Sequence, residues 1–200
     1  MLALTFDDGP DPRGTPAVLD ALAAARLNAT FFVLGRQVER HPALFERVRA
    51  AGHTIEVHGY EHLRHPFTPR AEVERDLDRA LAALEGAVTP RRWRVPWGHL
   101  AEYTREIADE RALQLIGWDA DTHDWRGDPA DVMLATLPLR RGGIVLAHDG
   151  IGEGARRTTA AETAALIAPL ADRARALGLT PGPLTDPWPA PVPLGNPAFG

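Results

Sequence analysis

Two carboxylates stand side by side at Asp7-Asp8, just before Gly9-Pro10, and two histidines stand four apart at His58 and His62. Adjacent residues of a strand face opposite sides, so neighbouring carboxylates share one site only where the strand breaks, and Gly9-Pro10 supplies that break. Imidazoles at i and i+4 can face one way on a helical turn and grip a single cation. With a carboxylate from another strand they make a His-His-Asp set that leaves positions open for water and substrate, as catalytic zinc sites require. Neither cluster is specific alone. Asp-Asp-Gly-Pro is ordinary turn composition, and a surface His-x-x-x-His pair usually holds nothing.

Three further clusters carry chemistry: Arg94-Val95-Pro96-Trp97-Gly98, Asp121-Thr122-His123-Asp124-Trp125 and Leu146-Ala147-His148-Asp149. Singly they read as a turn with a packed tryptophan, a polar loop and a satisfied histidine. What the chain lacks narrows the choice. There is no Ser, Cys or Lys, which removes the Ser-His-Asp route, a thiolate nucleophile, Cys-ligated zinc and Schiff-base chemistry. Hydrolysis by this chain has to use carboxylates, histidine or a metal.

The elements that must position these residues alternate. Strands are expected at Leu2–Phe6, Ala29–Leu34, Thr54–His58, Arg92–Val95, Leu115–Trp118 and Ile144–His148, and helices at Pro16–Arg26, Pro42–Ala51, Arg70–Glu85, Ala101–Ala112, Pro129–Leu137 and Thr159–Leu177. In the third helix Val73, Leu77, Leu81 and Leu84 recur at helical spacing. Such alternation implies a parallel sheet, open or closed, with chemistry at the carboxyl ends of its strands. The clusters sit at five of those ends, and five bland readings would have to hold independently.

At 200 residues, 44% hydrophobic and 24% charged, the chain is one ordinary domain with a real core. Its formal charge of -5 argues against a nucleic-acid partner. It contains no apolar run of about 18 residues that would span a membrane, and Leu2–Phe6 reads as a strand, not a signal peptide. Residues 181–200 hold seven of the 18 prolines and are expected to form an extended surface tail beyond a catalytic domain at 1–180.

The motifs, in this order, resemble those of the polysaccharide deacetylases with a NodB-homology domain, carbohydrate esterase family 4. The resemblance covers about residues 2–180 and all five family motifs, with Ala29-Thr30-Phe31-Phe32-Val33-Leu34-Gly35 and Gly52-His53 in the flanking text. It implies a distorted (β/α) barrel of about seven strands with its site at the carboxyl face. It also implies metal-dependent removal of N- or O-acetyl groups from a glycan such as chitin oligomers, peptidoglycan or acetyl-xylan. Asp8, His58 and His62 would bind one divalent cation, zinc first, with cobalt, nickel or manganese as alternatives. Asp7 would be the general base and His148 the general acid, oriented by Arg94 and Asp124 respectively. The Trp97 backbone N–H would hold the oxyanion, and Leu146 and Trp125 would wall the acetyl pocket. The expected partner is an acetylated glycan and the expected state a monomer. The family works mostly outside the membrane, so the compartment is unassigned.

His41, His53, His65 and His99 are read as structural, and His123 stays open for substrate contact. Two departures stand out. Gly59 replaces the Ser or Thr most relatives carry after the first histidine, and a lost hydroxyl contact predicts weaker metal affinity. Glu56-Val57 replaces small or amide residues. Rival readings are the same site acting on a small non-sugar amide, and a silent glycan binder, which would need neither Asp7 nor His148.

Overall fold

The computed structural model describes residues 1–186 and Trp188. Eight strands and seven helices run in the order β1 (Leu2–Asp7), α1 (Thr15–Ala24), β2 (Thr30–Leu34), α2 (Gly35–Arg40), α3 (Pro42–Ala50), β3 (Thr54–Gly59), α4 (Arg70–Leu84), β4 (Arg92–Trp93), α5 (Thr104–Glu110), β5 (Gln114–Leu115), β6 (Ala120–Asp121), α6 (Ala130–Thr136), β7 (Ile144–His148), α7 (Ala161–Ala176) and β8 (Pro181–Gly182). The strands pair in the order β5-β4-β3-β2-β1-β7-β6, with β8 joining β1 off that path, and every pairing is parallel. This is the curled sheet of a distorted (β/α) barrel. It stays open between β5 and β6 among the described residues.

Strand alternation sorts the side chains into two sets. Leu2, Leu4 and Phe6 of β1, Phe31 and Val33 of β2, Ile55 and Val57 of β3, and Val145 and Ala147 of β7 pack outward. They meet Val18 and Leu22 of α1, Val48 of α3, Val73, Leu77 and Leu84 of α4, Ile107 of α5 and Leu166 and Leu170 of α7. Burial on this scale, at about 1.5–3 kcal/mol per large apolar side chain, is what holds helices to sheet. The opposite faces point into the barrel. Ala3, Phe32, Ile116 and Ile144 form a second apolar cluster there, and the inward residues Thr5, Asp7, Glu56, His58, Arg92 and Arg94 are buried as well.

The sequence missed α2, β6 and β8, which are too short to show a period. It also assigned Arg92–Val95 and Leu115–Trp118 more strand than the two residues that pair in each case. The start of the proline-rich segment is not a surface tail. Pro181 and Gly182 pair with Leu2 and Ala3, and Leu184 is buried in the inner cluster beside Trp118 and Trp188. The Leu2 amide donates to the Thr180 carbonyl (2.9 Å), so this edge is held through a carbonyl and asks no N–H of Pro181. The rest of the tail lies outside the described residues.

Candidate metal centre and active site

β1 ends at Asp7, and Asp8 turns into the left-handed region at φ 76°. That turn replaces the alternation that would send the two carboxylates apart, and both face the site. β3 delivers His58 at an irregularity: Val33 pairs with Val57 but Leu34 pairs with Gly59, leaving His58 as the extra residue. A bulge of this kind re-aims a side chain. His62 follows on a loop at φ 63°. The histidine pair is therefore built from a strand end and a loop, not from the helical turn that its spacing suggested.

The result is a three-ligand cluster. One ligand atom each from Asp8, His58 and His62 lies within 4.8 Å of the others. Asp8 Oδ1 is 3.5 Å from His58 Nε2 and 3.3 Å from His62 Nε2, and it is buried with no hydrogen-bond partner. His58 Nδ1 lies 2.7 Å from the Arg94 carbonyl. A carbonyl only accepts, so Nδ1 donates in this contact, and Nε2 is the nitrogen turned toward Asp8. Burial, with His58 nearby, pushes His62 down to about 4 against the pull of Asp8, which keeps that ring neutral. Burial would raise Asp8, but His62, His148 and His58 hold it below the usual carboxylate range. An orphaned buried carboxylate oxygen facing two imidazole Nε2 atoms fits a divalent cation.

Gly59 is answered by a residue from α4. It sits at φ 106°, where a side chain is strained, and a Cβ there would lie 2.9 Å from Asp76 Oδ2. That carboxylate accepts the Tyr60 and Glu61 amides at 2.8 Å each. Asp76 thus steadies the turn for which a hydroxyl was expected.

On the other side of the metal ligands, Asp7 and His148 are register partners on adjacent strands. Arg94 is fully buried, and its guanidinium donates to Asp7 Oδ1 (2.7 Å), Thr5 Oγ1 (2.8 Å) and the Gly117 carbonyl (3.0 Å). Arg94 therefore fixes Asp7 with its side chain and His58 with its carbonyl. Asp7 Oδ2 is left facing His58 Nε2 at 3.7 Å. His148 Nδ1 lies 2.7 Å from Asp124 Oδ1, and its amide donates to Asp124 Oδ2 (2.9 Å). Thr163 donates to the same oxygen (2.6 Å), and Arg157 bridges Asp124 at 3.3 Å and the His148 carbonyl at 2.7 Å. Burial would lower His148, but Asp124, with Asp8 and Asp7 behind it, raises it to about 10. Burial opposes ionisation of Asp124 too, yet His148 and Arg157 bring it to about 2.

Trp97 stands at φ 64° in the turn Pro96–Gly98; its ring lies 4.9 Å from the His62 ring and its Nε1 donates to the His62 carbonyl (3.3 Å). Trp125 follows Asp124 in a short turn, partly exposed, and Leu146 faces inward two residues before His148, buried. Asp76, Arg157, Thr163 and Thr5 were not singled out from sequence. Asp149, the residue after His148, ties the loops together: it accepts the Thr15 hydroxyl, and a Cβ at Gly9 would fall 2.0 Å from its Oδ2. Burial lifts its carboxyl to about 7. His53 and His65 are structural, packed on Phe31 and Trp93 at 5.0 and 5.1 Å.

The chain is similar to known proteins over most of its length. The family profile described as polysaccharide deacetylase matches residues 1–116. The chain is 36% identical over 160 residues to a chitooligosaccharide deacetylase of Bradyrhizobium sp. (strain ANU 289), covering 78% of this chain and 73% of that one. It is 34% identical over 166 residues to a peptidoglycan-N-acetylglucosamine deacetylase of Bacillus cereus, covering 80% and 78%. The structure of a family 4 carbohydrate esterase from Streptomyces lividans in complex with acetate superposes with a TM-score of 0.83 at 28% identity, covering 96% of this chain and 97% of that one.

Proposed function

The chain belongs to the polysaccharide deacetylase family, a family of hydrolases, and we propose that it removes the acetyl group from N-acetylglucosamine units of a glycan. Asp8, His58 and His62 would hold the cation, and zinc suits a set of two imidazoles and one carboxylate, with cobalt, nickel or manganese as alternatives. When bound, such an ion supplies Lewis acidity, polarising the acetyl carbonyl and lowering the pKa of water from about 16 toward about 7.

The chain's own residues do the rest. Asp7, one oxygen tied to Arg94, takes a proton from the attacking water with the other. The water oxygen adds to the acetyl carbon, and the Trp97 backbone N–H receives the developing oxyanion. His148 has only Nε2 to offer, because Nδ1 is engaged by Asp124. From Nε2 it protonates the leaving nitrogen, the C–N bond breaks, and acetate and a free amine depart. Leu146 and Trp125 wall the space for the acetyl methyl.

The observation that carries this reading is the in-register pairing of Asp7 with His148 beside the Asp8–His58–His62 cluster. A base held by an arginine and an acid held by an aspartate then flank one metal site, and a binder needs neither. The test is acetate release from N-acetylglucosamine oligomers and from peptidoglycan. Chelation should abolish it, and zinc or cobalt should restore it at about one ion per chain. Full activity in a metal-free preparation would sink the mechanism.

A further inference from the structure

The turn Pro96–Gly98, which carries the Trp97 N–H, is held in a conformation that its own sequence does not favour. Trp97 and Gly98 stand at φ 64° and 69°, two left-handed residues in succession, and a tryptophan stays there only where its surroundings fix it. The Gly98 amide donates to the Val95 carbonyl (3.0 Å) and Trp97 Nε1 to the His62 carbonyl (3.3 Å). A third contact comes from Trp118. A Cβ added at Gly98 would lie 2.4 Å from Trp118 Cη2 and 3.1 Å from its Cζ3, so the outer edge of the indole fills the space a side chain would need. Trp118 sits in the run between β5 and β6, where the sheet stays open among the described residues. Its neighbours bridge that seam: the Gly117 carbonyl accepts Arg94 (3.0 Å), and the Asp119 amide donates to the Ile144 carbonyl (2.9 Å). The indole packs on the inner apolar cluster and remains partly exposed.

We propose that Trp118 is a positioning residue for the hydrolysis: the edge of its indole props the Pro96–Gly98 turn and so sets where the Trp97 N–H points as the oxyanion forms. The inference rests on the deacetylase reading and adds to it a residue that none of the five clusters contains. Burial alone does not account for the contact, because a partly exposed ring gains only part of its transfer from water, and any large apolar side chain would gain as much. Reaching Gly98 needs the length of an indole, since a phenylalanine ring ends short of the Cη2 edge. An oxyanion donor works only where it is already aimed at the oxygen, and a misplacement of about 1 Å can cost on the order of 10² in rate. The planar acetamide of the ground state asks little of that donor, so the cost should fall on kcat and not on KM. One short run thus serves both halves of the chemistry: Gly117 holds the arginine of the base, and Trp118 props the oxyanion turn.

The experiment compares four full-length proteins loaded with zinc: unaltered, Trp118→Phe, Gly98→Ala and the double variant. Acetate release from an N-acetylglucosamine tetrasaccharide gives kcat and KM. Calorimetry gives Kd for the same sugar with one acetamide replaced by a methylphosphonamidate, which is tetrahedral and carries the negative oxygen. Trp118→Phe should lower kcat about 10- to 100-fold, weaken the analogue by a similar factor, and leave KM within about twofold. Gly98→Ala should cost about tenfold more in the unaltered protein than beside Trp118→Phe, where the new methyl enters vacated space; the strain of alanine at positive φ is the same in both backgrounds and cancels. A role in packing alone moves the melting temperature and neither of these ratios. Should Trp118→Phe not fold, Trp118→Met, whose flexible chain fills the seam without a flat edge, takes its place in the cycle. An unchanged kcat, a lower kcat with analogue binding unaltered, or additive effects of the two substitutions would overturn the proposal. No acetate from any acetylated glycan with the unaltered protein would instead count against the deacetylase reading itself.

Discussion

Asp7 keeps one carboxylate oxygen on Arg94, while its neighbour Asp8 leaves Oδ1 buried without a partner between two imidazoles. That difference separates base from ligand. Asp7→Asn should retain the metal and lose on the order of 10²–10⁴ in rate, whereas Asp8→Asn should lose the metal as well. A metal titration beside a rate measurement checks this, and exchanged phenotypes would reverse the pair. His148 gives the second test. Burial would lower its pKa, yet Asp124 raises it to about 10, so it stays protonated through neutral pH and is ready to act as an acid. The kcat/KM profile should be bell-shaped, its descending limb set by whichever of His148 and the attacking water titrates first. Asp124→Asn removes the negative charge that favours imidazolium, so a limb set by His148 should move to lower pH with a reduced maximum. An unmoved limb would assign it to the water. These residues were legible in the sequence because each sits in a dense cluster of functional groups at a strand end. Arg157 and Thr163, which hold Asp124, were not: they stand apart from the motifs, and nothing in their residue type marks them.

At the level of elements, the turn after β3 shows how a departure in sequence is absorbed by a neighbour. Gly59 lacks the hydroxyl expected there, but its φ of 106° suits glycine, and Asp76 on α4 receives the two following amides. From sequence alone Asp76 is one of many charged residues on an amphipathic helix, and only the packing of α4 against β3 reveals its target. Asp76→Ala should therefore loosen the turn that carries His62. We expect metal affinity to fall about 10- to 100-fold with kcat at saturating metal little changed. Competition with a coloured chelator measures this, and unaltered affinity would make Asp76 dispensable. The long strands β1, β2, β3 and β7 and helix α4 were legible because apolar spacing runs through them. The two-residue strands β4 and β5 were expected but drawn too long, and β6 was missed, because two paired residues are too few to show a period.

At the scale of the whole molecule, the interior of the open barrel is filled by inward-facing side chains and by the C-terminal segment. Glu56 and Arg92, both buried and facing inward, form an ion pair at 2.9 Å, and Glu56 also accepts the Arg91 and Arg92 amides at 2.8 Å each. Arg92 reaches on to the Thr185 carbonyl (3.2 Å) and to Asp186, so the segment that places Leu184 inside the barrel is tied to the same pair. Proline content hid this in the sequence, because seven prolines in 181–200 read as a surface tail while the few residues that matter dock through carbonyls and one leucine. Arg92→Met should leave Glu56 buried without its cation and cost about 3–5 kcal/mol at neutral pH. The pH dependence follows from Glu56 itself. Burial already raises its pKa above the ordinary value of 4.5, against the pull of the two amides and Arg92, and losing Arg92 raises it further. A carboxyl whose pKa is higher folded than unfolded binds its proton more tightly in the folded state, so the lost stability returns as pH falls through the folded value toward 4.5. Urea titrations of the variant and the unaltered protein should therefore differ most at neutral pH and converge toward pH 4.5. Glu56→Leu/Arg92→Met, which removes both members of this buried pair, should recover most of the loss at neutral pH. A deficit in Arg92→Met that is the same at both ends of the range would instead attribute it to lost packing around the Arg92 side chain.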